Sequence, residues 1–316
     1  MKILISGGAG FIGSHLAERL LEQNHQVICI DNFITSSKNN ISHLHKNKNF
    51  TFLEHNILKP LPDDMTADAV FHLASPASPN HHSPISYHAL PMETMMANTL
   101  GTLELLRFAE KHRAKFLFAS TSEIYGDPLE HPQNEEYRGN VSTTGPRSVY
   151  DEAKRFGETL TAYFWRDKKV DARIVRIFNT YGPRMMKADM RMVVIFIQQA
   201  LKNTPITIFG DGKQTRSLCY IDDTVEGLMS LMFKPNTTGE VVNIGSDEER
   251  TVHEYATIIK NLVKSKSTIV FAESLPEDDP RKRRPDISKA KKLLDWKPTT
   301  SLEDGLKKMI AYLKEA

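Results

Sequence analysis

With two cysteines in 316 residues, neither in a CxxC or other metal-ligand spacing, the sequence has no disulfide framework to build on. Cys29 lies inside an apolar run, and two reduced thiols in a cytoplasmic protein are the expectation. An excess of one charge is missing too: 41 Lys and Arg stand against 39 Asp and Glu, a net +2. That balance gives no attraction to nucleic acid or to an anionic membrane surface. The basic stretch Arg281–Arg284 is one tetrad in a neutral chain, with little counterion release to offer. No apolar run approaches the ~18–20 residues of a membrane span. Lys2 runs straight into an apolar strand, so no signal peptide is expected. Internal repeats and low-complexity linkers are absent. His81 and His82 are adjacent, which suits metal binding poorly, and no metal site is expected. The remaining class is a soluble globular protein, 40% hydrophobic and 25% charged, of about two domains.

The first 31 residues, MKILISGGAGFIGSHLAERLLEQNHQVICID, carry the strongest pattern. An apolar strand, Ile3 to Ile5, leads to a glycine-rich turn. A helix follows with Phe11, Ile12, Leu16, Leu20 and Leu21 on one face, then a second apolar run, Val27 to Ile30, ending at Asp31. Strand, glycine turn, helix, strand and acid make a dinucleotide-binding βαβ unit. Gly7 and Gly8 permit the tight turn, Gly10 lets backbone N–H groups approach a pyrophosphate, and Gly13 lets the helix sit close to the strand. The helix N-terminus, with Phe11 and Ile12 in its first turn, faces the phosphates with partial positive charge. The Asp31 carboxylate, with Asn32 beside it, can accept the adenosine ribose hydroxyls and repels a 2′-phosphate. The cofactor expected is therefore NAD rather than NADP.

Further strands are read at Phe50–Leu53, Ala69–Ala74, Phe116–Ala119 and Ile174–Phe178, alternating with helices near 92–112 and 148–168. Residues 32–49 show only a weak helical stretch near Ile41 and Leu44. Asn56 and Ile57 fall at a strand's carboxyl end, where an adenine edge would lie. A loop from Ser75 to Pro91 reads as a mobile cover over a pocket. This alternation predicts an α/β fold, a doubly wound parallel sheet of the Rossmann type. Beyond Pro183 the pattern loosens into a smaller C-terminal α/β substrate-binding domain. The division expected is 1–179 plus about 218–245 for the NAD-binding unit, and 180–217 with 246–316 for the substrate unit.

Tyr150 alone among the tyrosines has a lysine four residues later, Lys154, which puts both on one helical face. An ammonium beside a phenol favours the phenolate, so the tyrosine could act as a base below its usual pKa of ~10. A plain surface pair is the bland alternative. Here the sequence resembles the extended short-chain dehydrogenase/reductases, the nucleotide-sugar epimerase/dehydratase/decarboxylase family. The resemblance rests on Gly7-x-x-Gly10-x-x-Gly13, His72-Leu73-Ala74, Asn98, Thr121, Tyr150-x-x-x-Lys154, Asn179-Thr180-Tyr181-Gly182-Pro183 and the Arg216 segment.

Membership implies transient oxidation of a sugar C4 hydroxyl on NAD, with Tyr150 taking the proton, Thr121 hydrogen-bonding the hydroxyl and Lys154 also holding the nicotinamide ribose. By the same resemblance Leu73, Ala74 and Asn98 join the cofactor set, and Asn179, Arg184, Gln214 and Arg216 bind the nucleotide diphosphate of a UDP-sugar. Longer segments, HLASPASP at 72–79, STSEIYGDPLEHPQ at 120–133 and DDPRKRRPDISKAKKLLDW at 278–296, resemble the UDP-glucuronate decarboxylase branch. That branch implies a carboxylate clamp of Ser122 and Arg283, with Glu123 assisting. Dehydratases carry an aspartate where Ser122 stands, and serine is a poor proton donor. A 4-epimerase or a dehydratase on the same fold is the alternative, and a non-catalytic NAD-sensing protein is an alternative of another class. The resemblance also implies a homodimer built on the 92–112 and 148–168 helices.

Overall fold

In the computed structural model, which describes residues 1–315, seven parallel strands form one sheet. Their order across it is Val241–Ile244, Ala172–Ile177, Lys115–Thr121, Ala69–His72, Lys2–Ser6, Gln26–Asp31 and Phe50–Glu54. The chain starts at the middle, builds outward to Phe50–Glu54, then returns to place Ala69–His72 on the other flank of Lys2–Ser6. The strand order reverses there, which opens a crevice at the carboxyl ends of these strands. Both faces are covered, so the central strands are apolar without alternation. Ile3 and Ile5 point to one face, against Leu16 and Leu20 of the helix Phe11–Glu22 and Leu228 of Ile221–Phe233. Leu4 and Val70 point to the other, with Leu105, Leu106 and Phe164. Buried His72 ties the two halves together: Nδ1 lies 2.8 Å from Ser6 Oγ and Nε2 3.0 Å from Thr102 Oγ1. Burial pushes its pKa down to about 3, so it is a neutral structural bridge.

Three features depart from the sequence expectation. The helix near 92–112 is interrupted by a π turn, Ala97–Gly101, between Pro91–Met96 and Thr102–His112. Here the Asn98 amide turns back to Thr94 O and across to Ser75 Oγ, both at 2.8 Å. Residues 32–49 form two short 3₁₀ turns, Lys38–Asn40 and Ser42–Lys46. The Ser75–Pro91 loop covers the crevice as expected, but it is pinned rather than free. Asn80 Nδ2 donates to Met190 O at 2.7 Å and Ser83 Oγ to Ala188 O at 2.6 Å.

Beyond the sheet, three two-stranded pairs and the helices Met192–Lys202, Val252–Val263 and Leu302–Glu315 build the second unit, while Ser288–Leu294 packs back on Val241–Ile244 of the main sheet. Ile206–Phe209 pairs with Ile269–Glu273, Thr215–Ser217 with Glu249–Thr251, and Thr180–Tyr181 with Cys219–Tyr220. Val241–Ile244 returns to the main sheet beside Ala172–Ile177. Among the described residues, no helix is long and apolar enough to cross a membrane.

The first glycine turn leaves no room for a side chain. A Cβ on Gly13 would sit 2.1 Å from the Gly7 carbonyl oxygen. Gly13→Ala should therefore cost about 1–3 kcal/mol as the turn is forced apart. Urea unfolding measures this, and an unchanged midpoint would show that the turn yields freely.

Candidate active site

A cleft of about 430 Å³ opens at the carboxyl ends of the strands and runs under the Ser75–Pro91 loop. At one end lies the glycine turn. The helix Phe11–Glu22 begins at Gly10 with no side-chain cap and no acid in its first turn. Gly10, Phe11, Ile12 and Gly13 line the cleft, so the uncapped N–H groups there suit a pyrophosphate. Asp31 closes this end. Its Oδ2 accepts from Ala9 N at 3.0 Å, and its Oδ1 accepts from Phe33 N at 2.9 Å and Ser36 Oγ at 2.7 Å. Those bonds hold the carboxylate in place and leave acceptor capacity toward the cleft, which Gly7, Asn32, Asn56, Ile57, Leu73 and Ala74 also line. The residues present therefore fit NAD.

Two expected ligands lie elsewhere. Asn98 is fully buried behind the cleft, its Nδ2 donating to Ser75 Oγ and Thr94 O while Oδ1 is buried without a partner. Ser75 lines the cleft and Asn98 does not, so Asn98 stands one residue back from it. Arg184 is turned away altogether: its backbone is left-handed (φ 66°), and Nη2 donates to Glu18 Oε2 at 2.6 Å. It ties the segment after Pro183 to the first helix, and the reading of Arg184 as a substrate ligand is corrected.

At the centre stand Thr121, Ser122, Tyr150 and Lys154, all buried and all lining the cleft. Thr121 ends the strand Lys115–Thr121, and its Oγ1 accepts from Glu123 N at 3.2 Å to cap the turn Ser122–Tyr125. The same side chain faces the Tyr150 phenol, where burial raises the pKa and Thr121 lowers it in part. Tyr150 and Lys154 lie one turn apart on Ser148–Arg166, as their spacing requires. The expected lowering of the phenol by Lys154 is not found. Lys154 Nζ donates to Ala119 O at 2.7 Å and stands 5.8 Å from the Tyr150 ring centre. Burial, reinforced by the Glu123 charge, pushes the phenol up, and burial brings the ammonium down to about 7. Desolvation penalises the charged form of both partners more than they stabilise each other. A positive charge brought in by a ligand is what would favour the phenolate.

The most constrained group is Glu123. It is 6% exposed, yet its carboxylate is ionised. Burial alone would raise its pKa; the guanidinium groups of Arg147 and Arg283 hold it down at about 2. Arg147 Nη2 donates to Oε2 at 2.6 Å, Tyr87 Oη donates to the same oxygen at 3.1 Å, and Arg283 Nη1 lies 3.4 Å from Oε1. Arg283 thus reaches the site from a stretch 160 residues away, and its side chain is buried. Asp279 bridges Arg147 and Arg216 at 3.2 and 2.8 Å. Asn179 and Gln214 line the same wall, and Gln214 Oε1 is buried without a partner, an acceptor awaiting a ligand's donor.

Sequence reasoning missed four members of this cluster: Tyr87, Arg147, Asp151 and Asp279. Tyr87 comes from the covering loop and stacks on Tyr150, ring centres 4.8 Å apart and planes 10° apart. Arg147 and Asp151 were legible in part, because both fall within one helical turn of Tyr150. Asp279 and Tyr87 carry no spacing signal. At the cleft mouth, exposed His81 and His82 bring their Nε2 atoms to 3.7 and 3.2 Å from Glu273 Oε2. Their adjacency in sequence gave no hint of that convergence.

Comparison with known proteins agrees with this geometry. A family model described as the NAD dependent epimerase/dehydratase family matches residues 3–245. The chain is 47% identical over 313 residues to UDP-glucuronic acid decarboxylase 1 of Danio rerio, covering 98% of this chain and 72% of that one. It is 47% identical over 307 residues to UDP-glucuronic acid decarboxylase 6 of Arabidopsis thaliana, covering 97% and 87%. Among solved structures, it resembles UDP-glucuronic acid 4-epimerase from Bacillus cereus in complex with UDP-glucuronic acid and NAD. That likeness has a TM-score of 0.88 at 33% identity, over 100% of this chain and 99% of that one.

Removing one guanidinium from Glu123 should be costly. Arg147→Met leaves a buried carboxylate with one cation and should destabilise the fold by about 3–5 kcal/mol at neutral pH. The folded pKa of Glu123 is depressed, so its contribution is present above the ordinary carboxylate range and lost as pH falls from 4.5 toward about 2. The stability gap between wild type and Arg147→Met should narrow across that window in denaturant titrations at stepped pH. A gap constant with pH would show that Arg147 is held there for packing alone.

Proposed function

Since the chain belongs to the NAD-dependent epimerase/dehydratase family, we propose that it converts UDP-glucuronate to UDP-xylose by decarboxylation through a 4-keto sugar. NAD, when bound, supplies the hydride acceptor for C4 and returns the hydride at the end, so the cycle is redox-neutral. Tyr150 takes the C4 hydroxyl proton, and the Thr121 hydroxyl, beside Tyr150, hydrogen-bonds the same oxygen. Lys154, below Tyr150, reaches the nicotinamide ribose. A ketone at C4 makes the hexuronate a β-keto acid, which weakens the bond from C5 to the carboxylate. Ser122 and Arg283 clamp that carboxylate. As CO₂ leaves, Thr121 and Tyr150 stabilise the charge that develops on the C4 oxygen. C5 is then protonated from the Glu123 side. Asn179, Gln214 and Arg216 hold the nucleotide diphosphate.

The observation that carries this reading is buried Arg283, which lines the cleft with Ser122 and Tyr150 and has one long contact, 3.4 Å to Glu123, whose other oxygen is already held by Arg147 at 2.6 Å. A neutral hexose needs no such charge; a hexuronate does. The solved likeness to an epimerase that binds UDP-glucuronic acid keeps 4-epimerisation of the same substrate as the second reading. In both readings the larger unit holds NAD and the smaller one the nucleotide sugar. Two free, buried thiols, Cys29 and Cys219, suit a reducing cytoplasmic setting.

We also assign a homodimer. Met92, Leu100, Phe156 and Tyr163 are exposed on the helices around 91–101 and on Ser148–Arg166, with Met92 at 57% and Phe156 at 49%. Those helices pack on one another within the chain, and a second copy covers their outer apolar faces as a four-helix bundle.

Incubation of the protein with UDP-glucuronate and NAD, followed by mass, tests the reaction. Loss of CO₂ to a UDP-pentose is expected, whereas an isobaric product would identify the epimerase. Arg283→Ala should lower the decarboxylation rate by roughly 100-fold or more; full activity would remove the clamp. For the dimer, Leu100→Glu with Phe156→Glu should halve the mass seen by light scattering, and an unchanged mass would place the interface elsewhere.

A further inference from the structure

Asp151 has no place in the chemistry described so far. It follows Tyr150 directly and stands one turn after Arg147, is 4% exposed, and its Oδ1 is buried with no hydrogen-bond partner. No surface salt bridge claims it. Arg147, one turn before it on the same helix, is bonded to Glu123, which puts the two carboxyl groups in one buried cluster. The groups around it are Glu123 from the Ser122–Tyr125 turn, Arg147 from its own helix, Arg283 from the C-terminal stretch, Tyr87 from the covering loop and Tyr150 beside it. Both guanidinium groups are spent on Glu123 and neither forms an ion pair with Asp151, so the second carboxyl is left buried beside a like charge without a cation of its own, and the pair retains one proton. Arg147 and Arg283 contact Glu123 directly, which makes Glu123 the ionised member and Asp151 the acid. Burial and the Glu123 charge push Asp151 up to about 8.

We propose that Asp151 stores, beneath Glu123, the proton that decarboxylation consumes. The proposal rests on the decarboxylase reading and deepens it. Replacing a carboxylate on C5 by hydrogen takes up one proton for each CO₂ released. The C5–carboxylate bond breaks, its electron pair passes into the C4–C5 enolate, and C5 then accepts a proton. When the hexuronate carboxylate engages Arg283, it withdraws from Glu123 part of the charge that keeps it ionised. The Asp151 proton can then cross to Glu123 and on to C5, leaving the pair doubly ionised. After product leaves, Glu123, which lines the cleft, takes a proton from water and returns it to Asp151. Epimerisation at C4 takes up no net proton and has no need for such a store. Asp151 stands beside Glu123 rather than the sugar, so it is a positioning residue and acts through its neighbour.

Asp151→Asn keeps the shape and neutrality of the acid but removes its proton. Decarboxylation by the variant should fall roughly 100-fold in kcat, with KM for UDP-glucuronate and NAD affinity unchanged. The wild-type kcat should decline as pH rises through about 8, where Asp151 loses its proton, and the variant should lack that alkaline limb. A variant with wild-type kcat overturns the proposal. So does one that loses activity, KM and thermal stability together while keeping the limb, which marks a purely structural role. If Asp151→Asn does not fold, infrared spectra decide. Wild type at neutral pH should show the carbonyl band of a buried protonated carboxyl, and Glu123→Gln should lose it because the repelling charge is gone; no such band in wild type overturns the proposal. Wild type that turns over no UDP-glucuronate defeats the decarboxylase reading itself, whereas active wild type with an indifferent Asp151→Asn defeats only the proton store.

Discussion

The arrangement of the cleft depends on one buried negative charge. Glu123 sits just past the end of a central strand, buried enough that an isolated carboxylate would be protonated there. It stays ionised because Arg147, Arg283 and Tyr87 converge on it. Each partner arrives from a different part of the chain: the start of a long helix, the C-terminal stretch and the covering loop. The charge therefore acts as a junction, and removing either guanidinium leaves the carboxylate under-compensated in a low-dielectric interior. Such a junction contributes little net stability against an apolar substitute. What it provides is a fixed, desolvated set of guanidinium groups on the cleft wall, held in place before any ligand enters.

The two ends of the cleft use different physics. At the cofactor end, binding rests on backbone: uncapped N–H groups of the first helix, a turn too tight for side chains, and a carboxylate held by three donors. At the sugar end it rests on side-chain charge. This division suits a cofactor retained through the cycle and a substrate that must come and go. It also explains why Tyr150 and Lys154 alone do not make a base. Buried as they are, both favour their neutral forms, and the positive charge that tips the balance must come with the ligand.

Much of the fold was legible in the sequence. Strand positions in the main sheet fall within a few residues of those read from apolar runs, because strands buried on both faces need such runs whatever their neighbours. The π turn at Ala97–Gly101 was not legible, since it arises where Asn98 bonds to Ser75 across the fold rather than from local propensity. The site divides the same way. Gly10, Asp31, Tyr150 and Lys154 announce themselves by spacing, because backbone approach and helical periodicity are local rules. Arg184 lies within a motif and still turns away, its direction set by a left-handed backbone and by Glu18.

The sequence by itself determined the βαβ cofactor unit, the alternation that builds the parallel sheet, and the pairing of tyrosine and lysine on one helical face. All are consequences of period and steric fit within about 30 residues of chain. Only the tertiary structure decided which charges meet. Electrostatic energies depend on distance and burial, and neither is encoded in separation along the chain. Arg283 lies 160 residues from Glu123 and touches it, whereas Arg184 is nearer in sequence and does not. The burial of Asp151, the pinning of the covering loop and the placing of Tyr87 against Tyr150 follow from that assembly, because each needs a neighbour that only folding supplies.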